Sequence, residues 1–300
     1  MFRRVFVPVV ILVSFSLFSH SVGAAIKVVD DLGNTVELKQ PAKRIVTLAP
    51  FLTELVFAIQ AQDTLLATVE FSNYPDEARQ VPRIGNFENV NVEKLVALQP
   101  DLVLGWESAN NLSQLKRLEK LGLPLYRSEP RELTDIPSTI TRLGILLGRQ
   151  QQANQVAESF NQRLGTLVSQ YRDRAELKAF YQVWHKPVYT INGQHIISKV
   201  MAICGLQNVF AELPVLGPKI TVESVISKNP QMIIASGMAT AEPEWLEMWR
   251  AWPDMRAVKY NNLYFIHPDL IQRHSLRILD ATQILCEQAD QARENLGVKK

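Results

Sequence analysis

The residues with chemistry to offer stand just beyond apolar runs. Trp106 follows Leu102–Leu104, Trp184 follows Ala179–Val183, and Asp269 follows Leu263–Ile266. Arg273 comes four residues after Asp269, ahead of the last helical stretch. Tyr74 and Phe87 lie in polar segments that lead into helical patterns. In open α/β folds, ligands bind beyond the carboxyl ends of the strands. An aromatic cleft with one acid and one base suits a large, flat, partly apolar ligand. Core packing is the rival reading for any single aromatic. It is preferred for Trp245, Trp249 and Trp252, while the two readings balance for Trp106 and Trp184.

Catalytic signatures do not emerge. The chain has no G-x-S-x-G elbow, no G-x-x-x-x-G-K-[ST] and no G-x-G-x-x-G. His185, His195, His267 and His274 lack the i, i+4 spacing of a helical metal pair. Glu93 and Glu223 each come two residues after a helix-capping type, Asn91 or Thr221. A first-turn carboxylate stabilises a helix by ~0.3–1 kcal/mol, which explains either glutamate alone. Their matched placement also suits two docking points on a partner with two basic sockets.

The elements that must position these residues alternate strand and helix through both halves. NVEKLVALQPDLVLGW (91–106) is echoed by TVESVISKNPQMIIAS (221–236), each a short helix, a proline and a fully apolar strand. Strands apolar on both faces belong in parallel sheets between helices. The echo predicts two similar lobes, each with its own core. Ile26–Leu38 reads as a hairpin around Asp31–Asn34, and Arg44–Leu48 as the first core strand. Thr53-Glu54 opens a helix through Phe57 and Ile59. Arg149–Arg172 carries one apolar face and predicts the longest helix, a candidate connector. In the second half, Trp184–Pro187 reads as a loop, Glu242–Trp252 as a helix and Ser275–Leu296 as the final helix. The fold class is α/β with parallel sheets.

Residues 1–24 have the pattern of a cleaved secretory signal: Arg3 and Arg4, an apolar run over Val5–Phe18, and Val22-Gly23-Ala24. The apolar run is short of the ~20 residues of a membrane span. The formal charge of +2 comes from Arg3 and Arg4, and no basic run supports nucleic-acid binding. Cys204 and Cys286 are the only cysteines. In an exported chain an even pair reads as a disulfide, the alternative being two buried thiols on apolar helical stretches.

With these segments in order, the chain resembles the periplasmic substrate-binding proteins of iron-siderophore, haem and vitamin B12 importers. The resemblance rests on RIVTLAPFLTELVFA (44–58), FSNYPDEA (71–78), residues 91–106, VMAICGLQNVF (200–210), TVESVISKNPQMII (221–234) and PDLIQRHSLRI (268–278). The cysteines and the Asp269/Arg273 pair match the vitamin B12 branch. The resemblance implies two Rossmann-like lobes joined by a single long helix, class III in type. It divides the chain into a signal (1–24), a first lobe (25–148), a connector (149–173) and a second lobe (174–300). It implies a non-enzymatic, monomeric periplasmic subunit of an ABC importer, with no cofactor of its own. The ligand would be a corrinoid, vitamin B12 first, with haem or a ferric siderophore as alternatives. By carry-over, Tyr74, Phe87 and Trp106 line one wall of an interlobe cleft, and Trp184, Asp269 and Arg273 the other. Glu93 and Glu223 match glutamates that dock on a permease, whose partner ATPase supplies the energy. Phe87 and Gly217 depart from the branch, standing where the vitamin B12 binder has tryptophans.

Overall fold

The computed structural model describes residues 25–237 and 244–298. The expected signal segment lies outside the described residues. A hairpin of β1 (Ile26–Val29) and β2 (Thr35–Leu38) precedes the first sheet. The first sheet unit comprises β3 (Ile45–Thr47), α1 (Pro50–Ala58), β4 (Leu65–Ala67), α2 (Val92–Ala97), β5 (Leu102–Trp106), α3 (Leu112–Lys120) and β6 (Leu125–Ser128). Then α4 (Asp135–Leu147) leads into α5 (Gln150–Tyr171). The second unit begins with β7 (Leu177–Gln182), β8 (Trp184–His185), β9 (Val188–Tyr189), α6 (Ile196–Ile203) and β10 (Leu206–Asn208). It continues with β11 (Lys219–Ile220), α7 (Val222–Lys228), β12 (Met232–Ala235), α8 (Arg256–Lys259) and β13 (Leu263–Phe265). The chain closes with α9 (Pro268–Ile271) and α10 (Ile278–Leu296).

The two parallel sheets have the orders β4-β3-β5-β6 and β10-β7-β12-β13. Counted from the first strand of each, both are 2-1-3-4, so the echoed strands β5 and β12 hold the same place in matching lobes. Both are buried except at Trp106. Their preceding helices start on like caps: Asn91 Oδ1 accepts from Lys94 N at 2.8 Å, and Thr221 Oγ1 from Ser224 N at 3.2 Å. In this order the chain reverses between strands one and three, where a crevice opens at the carboxyl edge.

The two lobes do not keep separate cores. The sheet faces away from the connector have private clusters, Val46, Val103 and Leu115 in one lobe and Phe180, Ile233 and Trp249 in the other. The largest cluster runs through both lobes, from Leu52 and Leu104 through Phe160 and Leu167 to Met201 and Leu285. Each sheet needs a cover on two faces, and α4, α5, α6 and α10 supply the inner cover jointly. Gly144 permits the α4–α5 approach, since a Cβ there would stand 2.3 Å from that of Ala153. At 22 residues, α5 spans roughly 33 Å. Cys204, at the end of α6, is bonded to Cys286 in α10, tying the final helix to the second lobe.

Three local expectations are corrected or refined. Trp184–Pro187 is not a plain loop: β8 and β9 form a tight hairpin that β11 extends into a three-stranded sheet. Two-residue strands are too short to show alternation. Glu244–Ala251 is a 3-10 helix rather than an α-helix. Its Trp249 is buried against Phe180 and donates Nε1–H to Gln182 Oε1 at 2.7 Å, a core role. The last helix begins at Ile278, because Arg273–Arg277 turn aside to meet the other lobe.

Candidate functional site

At the carboxyl edge of both sheets lies an interlobe cavity of about 200 Å³. The first lobe contributes Pro50, Phe51, Phe71, Phe87, Trp106 and Ala109; the second contributes Pro268, Asp269, Gln272 and Arg273. Trp106 is the last residue of β5, and its ring meets Phe51 edge-on at 5.4 Å and tilts against Phe87 at 6.4 Å. Buried Asn110 holds this wall in place. Its Oδ1 accepts from Trp106 N at 2.6 Å, and its Nδ2 donates to Leu48 O at 2.9 Å and Phe87 O at 2.6 Å. One amide thus ties together the ends of two strands and the Phe87 loop. Gly85, at φ +121°, lets that loop double back, since a Cβ there would lie 2.2 Å from Asn89 O.

Phe71 was not singled out from the sequence. The residue is 53% exposed on a left-handed backbone (φ 65°), a conformation uncommon for a bulky residue. An exposed aromatic on strained backbone at a cleft lip is a functional signal. Its loop is anchored by a buried hydroxyl chain: Thr47 to Thr53 at 2.7 Å, Thr53 to Thr68 at 2.7 Å and Thr68 to Ser72 at 2.8 Å.

The six expected ligand residues do not all meet. Phe87, Trp106, Asp269 and Arg273 share the aromatic cavity. Tyr74 instead lines a neighbouring cavity of about 440 Å³ with Glu54, Phe57 and Arg277. The Arg277 guanidinium lies 4.0 Å over its ring. Trp184 sits on β8 and donates Nε1–H to Lys186 O at 3.2 Å, apart from the residues lining the cavity.

Arg273 is buried, and its terminal nitrogens are spent on protein acceptors. Nη1 donates to Glu54 Oε1 at 2.7 Å and Asn73 Oδ1 at 2.8 Å; Nη2 donates to Phe71 O at 2.9 Å and Asp269 Oδ1 at 2.5 Å. Asp269 Oδ2 accepts from Asn73 Nδ2 at 3.1 Å. The acid and the base therefore bridge the lobes as well as line the cavity. For Arg277, burial draws the pKa down, but the Glu54 carboxylate outweighs it and the net shift is upward.

Behind Trp106 lies His274, 4% exposed, with its ring 5.3 Å from Trp106, 5.2 Å from Phe51 and 6.5 Å from His195. Burial first, then His195 and Arg131, push its pKa down to about 3. Burial and Arg131 push His195 down to about 4. His195 caps α6, its Nδ1 accepting from Ile197 N at 3.2 Å. Neutral imidazoles belong here, because a charge would sit among aromatic rings.

Glu93 and Glu223 are exposed in the first turns of α2 and α7. Backbone N–H groups hold both carboxyls below their ordinary pKa, with Arg117, 3.1 Å from Glu93, adding to that shift on the first. Both helices precede the third strand of their lobe, so both glutamates stand toward the carboxyl edge of a sheet. Among the described residues, no group of three or more His, Cys, Asp or Glu is placed to hold a metal ion. No helix among them is long and apolar enough to cross a membrane.

Residues 45–270 match the family model of the periplasmic binding proteins. The chain is 35% identical over 247 residues to the vitamin B12-binding protein of Vibrio cholerae, covering 82% of this chain and 88% of the relative. It is 32% identical over 249 residues to that of Yersinia pestis, covering 83% and 87%. The crystal structure of the periplasmic vitamin B12-binding protein of Vibrio cholerae superposes with a TM-score of 0.79 at 34% identity, covering 84% of this chain and 98% of that one. A periplasmic haem-binding protein from Roseiflexus shares the fold at a TM-score of 0.74 and 19% identity, covering 84% and 99%.

Proposed function

The chain belongs to the periplasmic binding protein family, and from that premise we propose that it captures a corrinoid, vitamin B12 first, for an ABC importer. The observation that carries this reading is the interlobe cavity, walled by Phe51, Phe71, Phe87 and Trp106 and closed by Asp269 and Arg273. Aromatic faces suit the broad surface of a macrocycle, while the acid and base suit polar groups on its rim. The relatives at 35% and 32% identity are named for vitamin B12. Ligand pockets usually hold ~300–1,000 Å³. At about 200 Å³ this cavity takes only part of a macrocycle, and the rest extends past its rim. Tyr74 and Trp184 complete the expected ligand set as residues that the ligand reaches beyond the cavity.

Glu93 and Glu223 dock the loaded protein on arginines of a membrane permease, and the permease's ATPase drives transport. The protein works as a monomer in the periplasm after loss of residues 1–24, and it returns its ligand chemically unaltered. Haem would call for an axial Tyr or His, and neither lines the aromatic cavity. Calorimetric titration of the purified protein with cyanocobalamin, haem and ferric siderophores tests the reading. Saturable binding of cyanocobalamin and its recovery intact are expected. Absence of heat with any corrinoid refutes the assignment.

A further inference from the structure

Glu54 lies within α1, a helix whose one other polar side chain is Thr53, and is 5% exposed. Its acceptors are filled from the other lobe. Oε1 receives Arg273 Nη1 at 2.7 Å and Arg277 Nη2 at 2.6 Å. Oε2 receives Ser275 Oγ at 2.6 Å and Arg277 Nε at 3.1 Å. All three donors come from the turn between α9 and α10 that departs from the final helix. The same turn carries the wall of the aromatic cavity, since Arg273 also reaches Asn73, Phe71 O and Asp269. The cluster thus forms a partition: the aromatic cavity lies on its Arg273 side and the Tyr74 cavity on its Arg277 side.

We propose that Glu54 is a positioning residue for ligand capture, fixing the angle between the lobes and holding Arg273 as a wall of the cleft. Two guanidiniums beside one buried carboxylate and Asp269 form a balanced set. Removal of Glu54 leaves two cations facing each other with their main anion gone. A buried charge without its partner is strongly unfavourable, so that turn would move toward water. The lobes share a core on the connector side and meet through this cluster on the α1 side. Loss of the cluster frees the second contact and leaves the first as a hinge. Affinity then falls in proportion to the fraction of molecules at the binding-competent angle.

The test uses the full mature chain with Ser113→Cys and Ser227→Cys labels, both on exposed positions, and the native disulfide intact. Interlobe distances are measured by pulsed electron resonance without ligand, and affinity by cyanocobalamin titration. The parent is expected to give one narrow distance distribution. Glu54→Gln is expected to broaden it and weaken cyanocobalamin binding at least tenfold, while Glu54→Asp, which keeps the charge, recovers part of both. An unchanged distribution with unchanged affinity in Glu54→Gln overturns the inference. If Glu54→Gln does not fold, Arg277→Gln decides it: broadening supports the clasp, and a parental distribution refutes it. The affinity arm rests on the corrinoid reading, whereas the distance arm does not. A parent that binds no corrinoid refutes that reading and leaves the distances to judge Glu54.

Discussion

Acid should loosen this protein through His274. The imidazole is packed between Phe51 and Trp106 and faces His195, with Arg131 adding repulsion. Its pKa is about 3 in the folded chain, against an ordinary 6.5. Above pH 6.5 both the folded and the unfolded chain hold it neutral, so its stabilising environment is fully retained. Below pH 6.5 the unfolded chain binds a proton that the folded chain refuses, and stability falls as pH falls. The loss continues until the pH nears the folded value. Between pH 7 and pH 5 this amounts to about 2 kcal/mol, from ~1.4 kcal/mol per pH unit for a single group. His195, lowered to about 4 and only partly buried, adds a smaller share in the same direction. Urea unfolding at pH 7, 6 and 5 reads the slope directly. His274→Phe keeps an aromatic ring and removes the titration; His195→Asn keeps a side chain able to cap α6. The double variant is expected to lose most of the fall that the parent shows across this range. If parent and double variant lose stability in parallel from pH 7 to pH 5, the buried-imidazole account is wrong.

Three other outcomes are expected. Phe71→Ala and Trp106→Ala should each weaken cyanocobalamin at least tenfold, since each removes an aromatic face of the cavity, while far-ultraviolet dichroism stays parental. Replacing both cysteines by alanine opens a link across 82 positions and should cost about 4.5 kcal/mol in the chain-entropy account, read as a lower urea midpoint. Glu93→Arg combined with Glu223→Arg should abolish uptake in cells and leave calorimetric affinity intact; undiminished uptake would return both residues to helix capping alone.

Several features were legible because their signals are local. The echo between 91–106 and 221–236 marked two equivalent strands, and Asn91 and Thr221 marked the helix starts. Each depends on side chains only a few residues apart. Trp106 and Asp269 were legible from the apolar runs just before them. Phe71 was missed because nothing local distinguishes it from Tyr74, three residues away in the same segment. The backbone reversal at Phe71 sends one ring into the aromatic cavity, while the other lies against Arg277. His274 looked like a loop residue, yet it is covered from both lobes.

By itself, the sequence determined the alternation of strands and helices, the doubled lobe and the cysteine pair. Period, caps and composition act within a few residues, or at most within one element. The tertiary structure alone decided that the lobes share a core, which aromatics face one another, and what Arg273 is bonded to. Glu54 is the plainest case. In sequence it is one acid at the start of an apolar helix; in the fold it is the acceptor for Arg273, Ser275 and Arg277, more than two hundred positions away. Carboxylate and guanidinium find each other only after two sheets have been covered and turned toward a common cleft, and no local pattern encodes that meeting.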